Sequence, residues 1–520
     1  FPIGILQRVF MIIDKLDEIH EFYKELLLKN IKGRAKIEFE KLYESKKFDY
    51  AYKLYILQNM IHGVDIQPIA IEISRLRAFL SLIVEEEKNE SEDNLGIKPL
   101  PNLEFNFISA NSLISLENKS SQKGFEDKAS EGFIESMRNI AEEYFNADSL
   151  EKKEKIKYKF DNLQARITHG DDFLTSENKE KFLSWNPFEN KSAAFFDSEI
   201  QFGIKSFDIV IGNPPYGAKL TNEEKKIYKS LFKYTTQGEI NTYKLFIEKG
   251  FNLLKKNGNL IFIVPMSITS SLSNIPLHKM LLENCELIKI SSYGYRPNQI
   301  FRDVAFDTSI LQFIKTYSKT EKLLTTKINK RYREQKIQDL IDNLKFVNSI
   351  NLLKEGRIPK ISYQIEADIL SKLYRIKTTI ADLLNETKGA KPIYWRKAGG
   401  LYYKIVTSFP TNTNTETSFY FLPKHAKLVG AIMSSTLYYW RWLANSDWHN
   451  IRAYEVLDFP IPIDKFINTQ ISEIEKIYKE YEKDLIKNSK PYRSKGEPAY
   501  YARKSKHIID KIDRLICPLY

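Results

Sequence analysis

Cysteine is nearly missing: Cys285 and Cys517 are the only two in 520 residues. That excludes a disulfide scaffold and fits a reducing compartment, so a cytoplasmic protein is expected. Seven histidines lie scattered, with no spacing that two cysteines could complete into a zinc site, and no metal is expected. No run of about 18 uncharged apolar residues occurs, which argues against a transmembrane helix and a membrane partner. Glycine is scarce, at 20 residues. The start, Phe1-Pro2-Ile3-Gly4, lacks both an initiator methionine and a signal-peptide pattern. It reads as the middle of a longer element, so the sequence is expected to be part of a longer protein.

At 42% hydrophobic and 28% charged residues the chain is an ordinary globular one, and wholesale disorder is excluded. Its length suggests several domains, at roughly 150 residues each. Lys and Arg number 79 against 67 Asp and Glu, a net +12. Such a surface suits a polyanion without proving one.

The organisation is α/β. Helical periodicity runs over about 3–30 and 34–58. A short strand follows at Met60 to Ile66, and Pro68 opens an amphipathic helix over 69–87. A second strand is read over 105–114, then a charged helical insertion within about 118–200. Phe207 to Gly212 is apolar after Asp208, as buried parallel strands are. Helices near 241–255 and 276–284 alternate with strands at 260–265, 286–292 and 304–313. That alternation predicts a doubly wound, Rossmann-like fold. Cations crowd 319–336, Tyr and Thr mark a β-like region at 393–421, and 428–443, 466–490 and 500–516 read as helices.

The sharpest signal is Asn213-Pro214-Pro215-Tyr216 directly after an apolar strand. Two prolines stiffen the backbone and remove two donors. The turn can aim the Asn213 side-chain carbonyl and the Pro214 backbone carbonyl at one point. Such a pair accepts hydrogen bonds from an exocyclic amine and orients its lone pair for in-line attack on a methyl group. Tyr216 offers a stacking face for a flat base. A proline-stopped strand end with a core tyrosine is the plainer alternative.

This segment resembles the amino-methyltransferases that use S-adenosylmethionine (SAM), chiefly the adenine-N6 DNA methyltransferases. Release-factor glutamine methyltransferases share it. The resemblance implies SAM as cofactor, with Asp65 and Ile66 at a strand tip receiving the ribose and Asn111 and Ser112 at the next strand tip facing the cofactor's adenine. By itself Asp65 reads as a helix cap, and Asn111, where the family usually has Asp, as a turn residue. By position Phe301 is similar to the family's aromatic that stacks on the flipped-out base; the alternative is a core phenylalanine. Base flipping is needed because a paired adenine's amine is locked in the duplex. The family's glycine-rich SAM loop is absent from these 520 residues, and Phe1 is read as its aromatic end.

Leu428 to Trp440, followed by Ile451 to Pro462 with its Phe-Pro-x-Pro strand end, is similar to the specificity domain of TaqI-like and type IIG adenine methyltransferases. The implied organisation is a catalytic domain at 1–330, N-terminally incomplete, a mixed α+β target-recognition domain at 331–465, and a helical segment at 466–520. The implied function is sequence-specific adenine-N6 methylation of double-stranded DNA in a restriction-modification or defence system. An N-terminal segment or nuclease domain outside this sequence is the further partner expected. No nuclease motif stands out within it. Two rivals stay open: a DNA-binding specificity or modification subunit inactive without its SAM loop or nuclease part, and a glutamine or RNA N-methyltransferase.

Overall fold

The structure is a computed structural model. It describes residues 2–16, 24–25, 28–29, 33–44, 47–85, 102–116, 126–147, 149–169, 176–300, 306–354, 356–398, 405–491 and 498–520. The chain divides into two compact units. One comprises Phe1–Gly212, Lys219–Thr236 and Leu245–Lys255; the other comprises Asn213–Ala218, Gln237–Lys244 and Lys256–Tyr520.

In the first unit, helices α1 (Pro2–Leu16), α2 (Gly33–Glu44) and α3 (Phe48–Asn59) share a core with Leu6, Leu42, Ile56, Leu57, Ile71, Leu82 and Phe107. The periodic stretch expected as one helix over 34–58 is two. β1 (Gly63–Asp65) and β2 (Phe107–Ser109) form a parallel pair, with Asp65 beside Ser109. Between them runs α4 (Pro68–Ile83), which begins where sequence places it because Pro68 suits a first helical turn. Ile71, Ala78 and Leu82 are its buried face, while Ile69, Ile73, Leu76 and Leu80 stay exposed. The insertion is helical as expected: α5 (Glu126–Phe145), α6 (Leu150–His169) and α7 (Ser176–Leu183). Trp185, fully buried, receives Phe105 and Phe160 edge-on.

β3 (Phe207–Gly212) forms where its apolar run predicts a strand. The expectation of burial on both faces fails: Ile209 is 62% and Ile211 38% exposed. An apolar run identifies a strand but not what lies over each face.

The second unit is built on a mixed sheet. β4 (Leu254–Pro265), β5 (Cys285–Gly294), β6 (Thr308–Lys315), β7 (Lys322–Lys330) and β8 (Val347–Asn348) lie in the order β4–β6–β5–β7–β8. β5 and β7 are parallel, whereas β6 runs antiparallel to both its neighbours. Tyr293 pairs with Thr308, so the chain doubles back between them. This departs from a uniformly parallel doubly wound sheet. Leu260, Phe262 and Val264 alternate inward on β4, and Leu311 and Phe313 are buried on β6. α8 (Ile275–Asn284) connects β4 to β5.

The C-terminal half of this unit holds a three-stranded antiparallel sheet with β9 (Lys391–Arg396) between β10 (Val406–Thr407) and β11 (Glu416–Phe421). Four helices pack with it: α9 (Pro423–Ser434), α10 (Thr436–Asn445), α11 (Asn468–Lys487) and α12 (Lys506–Ile516). Their shared core includes Ile393, Trp395, Val429, Ile432, Tyr478, Tyr481, Ile509 and Ile512. The helix expected over 428–443 is broken at Ser435, whose hydroxyl caps α10 by accepting from Tyr438 N at 3.1 Å. The Phe-Pro-x-Pro segment is preceded by a helical turn, Ala453–Leu457, not by a strand. Pro460 forms an isolated bridge with Thr379 and belongs to no strand.

Candidate functional site

In the first unit, the parallel register carries Asp65 and Asn111 to neighbouring strand ends. Ala110 N donates to Asp65 O at 3.0 Å, which ties the exit of β2 to the tip of β1. Asp65 is exposed, and one carboxylate oxygen accepts from Gln67 N at 2.8 Å. That bond closes an Asx turn ahead of α4 and is not the helix cap read from sequence, because the N-cap is Gln67, which has no side-chain cap bond. It engages one oxygen and leaves the carboxylate on the surface. Ile66 beside it is exposed. Asn111 Oδ1 accepts from Leu113 N at 3.2 Å, and its side chain shares a hydrogen bond with the Tyr228 hydroxyl. Asn111 is therefore a turn residue as well as a half-buried amide at the strand tip, and Ser112 beside it is likewise half-buried. Phe1 lies outside the described residues.

In the second unit, the Asn-Pro-Pro-Tyr segment is an ordered turn. Asn213 and Pro215 are exposed, Pro214 is buried and Tyr216 is half-buried. Tyr216 Oη lies 2.9 Å from Asn213 Oδ1 and 3.0 Å from the Ile263 carbonyl on β4. Burial pushes its phenol up to about 12, so the hydroxyl keeps its proton at neutral pH. The turn is held from behind. Thr242 Oγ1 donates to Pro215 O at 2.6 Å, and Gly217 N donates to Asn241 Oδ1 at 3.3 Å. Gly217 sits at φ +63°, where a residue without Cβ is favoured. The result is an amide carbonyl fixed on an exposed turn beside a phenol ring.

Phe301 falls outside the described residues. Among the described residues, Phe306 is the aromatic beside Tyr216, with ring centroids 6.2 Å apart and planes at 38°. Phe306 is 49% exposed. Sequence reasoning passed over it because it looked like the start of the strand at 304–313. A large apolar residue just before Asp307 at a strand entrance is the signal that marks it.

Several cations of the 319–336 run lie on β7 or just after it. Lys327 sits over the Tyr363 ring and Lys330 over the Trp448 ring. In the 393–421 region, Thr411 and Asn412 spend their backbone donors on Glu416. Those contacts shape the loop itself.

Residues 59–301 match the Eco57I restriction-modification methylase family. Over 331 residues the chain is 28% identical to the putative type II restriction enzyme and methyltransferase RM.MjaORFECS2P of Methanocaldococcus jannaschii, covering 53% of this chain and 27% of that protein. Over 157 residues it is 31% identical to the type II restriction enzyme and methyltransferase RM.Eco57I of Escherichia coli, covering 29% and 14%. The type IIL restriction-modification enzyme MmeI, solved in complex with DNA, aligns at 12% identity with a TM-score of 0.43, covering 97% of this chain and 75% of that one. The chain spans less than a third of the length of these two curated relatives.

Proposed function

We propose, from the match of residues 59–301 to the Eco57I restriction-modification methylase family, that the chain carries the methyl-transfer machinery of a DNA adenine-N6 methyltransferase. The observation that carries the reading is the Asn213–Tyr216 turn, which fixes an amide carbonyl next to an aromatic face.

A carbonyl oxygen has two lone pairs. Tyr216 engages one on Asn213, and the second is available to an exocyclic amine. With the Pro214 carbonyl as a second acceptor, the amine's hydrogens are held and its lone pair is directed away from the turn. No general base is needed at that stage, because the amine attacks before it loses a proton. Tyr216 and Phe306 provide aromatic faces for the base lifted from the duplex. The gain is mostly positional.

Bound SAM supplies the electrophilic methyl group. The residues at the β1 and β2 tips fit it chemically: an exposed carboxylate suits vicinal ribose hydroxyls, and the Asn111 amide suits an exocyclic amine. The net charge of +12 and the cations on β7 favour a polyanionic substrate.

The test incubates the chain with SAM and unmethylated bacterial DNA, followed by digestion and mass spectrometry for N6-methyladenine. Wild type should produce it and Asn213→Ala should not. N4-methylcytosine or methylated glutamine as the sole product would overturn the assignment.

A further inference from the structure

A cluster in the second unit continues from the Asn213–Tyr216 turn through Phe306 to side chains that the proposed reaction does not use. Its centre is His449. The imidazole Nε2 is 2.9 Å from Asp307 Oδ2, and that carboxylate is 2% exposed. Its other oxygen accepts from Tyr295 N at 2.7 Å. The imidazole lies over the Tyr295 ring, with centroids 6.0 Å apart and planes at 25°. On another side it meets Phe306 at 6.4 Å. Since Phe306 also meets Tyr216, the four rings form one continuous run, Tyr216–Phe306–His449–Tyr295. His449 is the one member of this run with nitrogen atoms in the ring itself, and its side chain is 43% exposed.

The loop that presents it is held with unusual care. Asp447 Oδ1 accepts from His449 N at 3.0 Å, while Asp447 Oδ2 pairs with Arg452 at 3.2 Å. Ile451 N donates to Lys397 O at 2.7 Å. Trp448 adopts φ +68°, a left-handed conformation that a bulky residue takes at a cost. Its buried indole lies against Gly294, where any Cβ would come within 2.1 Å of the ring. Backbone strain kept in place by packing, next to a half-exposed imidazole backed by a buried carboxylate, is an arrangement for presenting one side chain.

We propose that His449 contacts the acceptor base directly. In this assignment the imidazole edge hydrogen-bonds the heteroatom edge of the ring that Tyr216 and Phe306 hold, and Asp307 fixes its orientation. The assignment rests on the methyl-transfer reading above and adds a selectivity element to it. Asn213 and Pro214 recognise the amine, whereas His449 recognises the ring. An aromatic run without it would hold any flat base equally.

The experiment uses the full chain with tritiated SAM and bacterial DNA lacking adenine methylation. kcat and KM for DNA are measured for His449→Phe, His449→Gln and Asp307→Asn, with a melting curve for each. His449→Phe keeps a flat ring and loses the hydrogen bond; His449→Gln keeps a hydrogen-bonding end and loses the stack. Expected is a fall in kcat/KM of roughly tenfold to a hundredfold for Phe, recovery of most of it by Gln, and an intermediate loss for Asp307→Asn. If the Phe variant does not fold, His449→Leu against His449→Gln makes the same comparison at similar volume. A Phe variant within about twofold of wild type would overturn the assignment and leave the methyl-transfer reading standing. So would Phe and Gln failing equally at unchanged melting temperature. A wild type that methylates nothing sinks both.

Discussion

Tyr216 holds Asn213 from within the same turn: its hydroxyl oxygen is 2.9 Å from the Asn213 amide oxygen and 3.0 Å from the Ile263 carbonyl. The hydroxyl has one proton and two acceptors within reach. It therefore links the orientation of the amide to a fixed point on β4. In the proposed reaction the ring stacks on the base and the hydroxyl positions the amide, two separable jobs on one side chain.

Tyr216→Phe separates them. The variant keeps the stacking face and frees the Asn213 amide to rotate. We expect kcat to fall by about tenfold, the worth of one hydrogen bond, with KM for DNA changed by less than about threefold. Steady-state methyl transfer with tritiated SAM measures both. Equal rises in KM and losses in kcat would assign the hydroxyl to binding instead.

Gly294→Ala should disturb the His449 loop from a distance. The new methyl would meet the Trp448 ring well inside van der Waals contact. We expect a destabilisation of about 1–3 kcal/mol, as for other overpacked sites. Urea unfolding followed by tryptophan fluorescence reads it. Methyl transfer should fall further than the loss of folded protein accounts for, because the displaced loop carries His449.

Asp458 sits between two guanidinium groups that are almost wholly buried. Arg357 Nη2 and Arg441 Nη1 contact its two oxygens at 2.5 and 2.7 Å. Asp458→Asn would leave two cations facing a neutral amide. The expected loss is about 3–5 kcal/mol, read as a shift in urea midpoint at constant slope. A shift under about 1 kcal/mol would mean that water or another acceptor already shares the arginines.

Two buried groups give the second unit an opposed pH response. Burial pushes the Glu455 carboxyl from its ordinary 4.5 up to about 7. Burial also pulls the Lys360 ammonium from 10.5 down to about 7, against the attraction of Asp447 and Glu455. For Glu455 the native state keeps a proton that the unfolded chain gives up, so its contribution is lost as pH rises from about 4.5 through 7. For Lys360 the unfolded chain keeps the proton longer, so stability is gained as pH rises from about 7 toward 10.5. Glu455→Gln should therefore gain on wild type between pH 5 and pH 7. Lys360→Met should lose its advantage over wild type between pH 7 and pH 10. Melting temperatures across that range decide, and parallel profiles for variant and parent would refute the assignment of either group.

The parts of the site that sequence made legible are local. Asn213 to Tyr216 and its strand occupy ten consecutive residues, and Asp65 directly precedes a helix start marked by Pro68. What stayed hidden depends on partners far along the chain. His449 and Asp307 are separated by the whole sheet-to-helix half of the second unit. β7 was masked by its own lysines: Lys322, Lys327 and Lys330 read as a cation run, while Leu323 and Thr325 between them are buried strand residues. Ser435 looked like one more helical residue until its hydroxyl was seen capping α10. The exposed isoleucines of β3 show the same limit, since composition says that a strand is apolar but not which neighbours its faces meet.

The parallel register of β1 and β2 has a consequence for how this chain tolerates change in length. Asp65 and Ser109 are matched residue for residue, so the spacing of the two strand tips is set by counting, not by side-chain adjustment. Extra residues in the long connection between Ile83 and Asn102 would leave Asp65 and Asn111 where they are. Removing one residue within Phe107–Ser109 would send every later side chain to the opposite face of the pair and carry Asn111 with it. Insertions and deletions accumulating in this region are therefore expected to crowd into the connection and to spare the three-residue strands altogether.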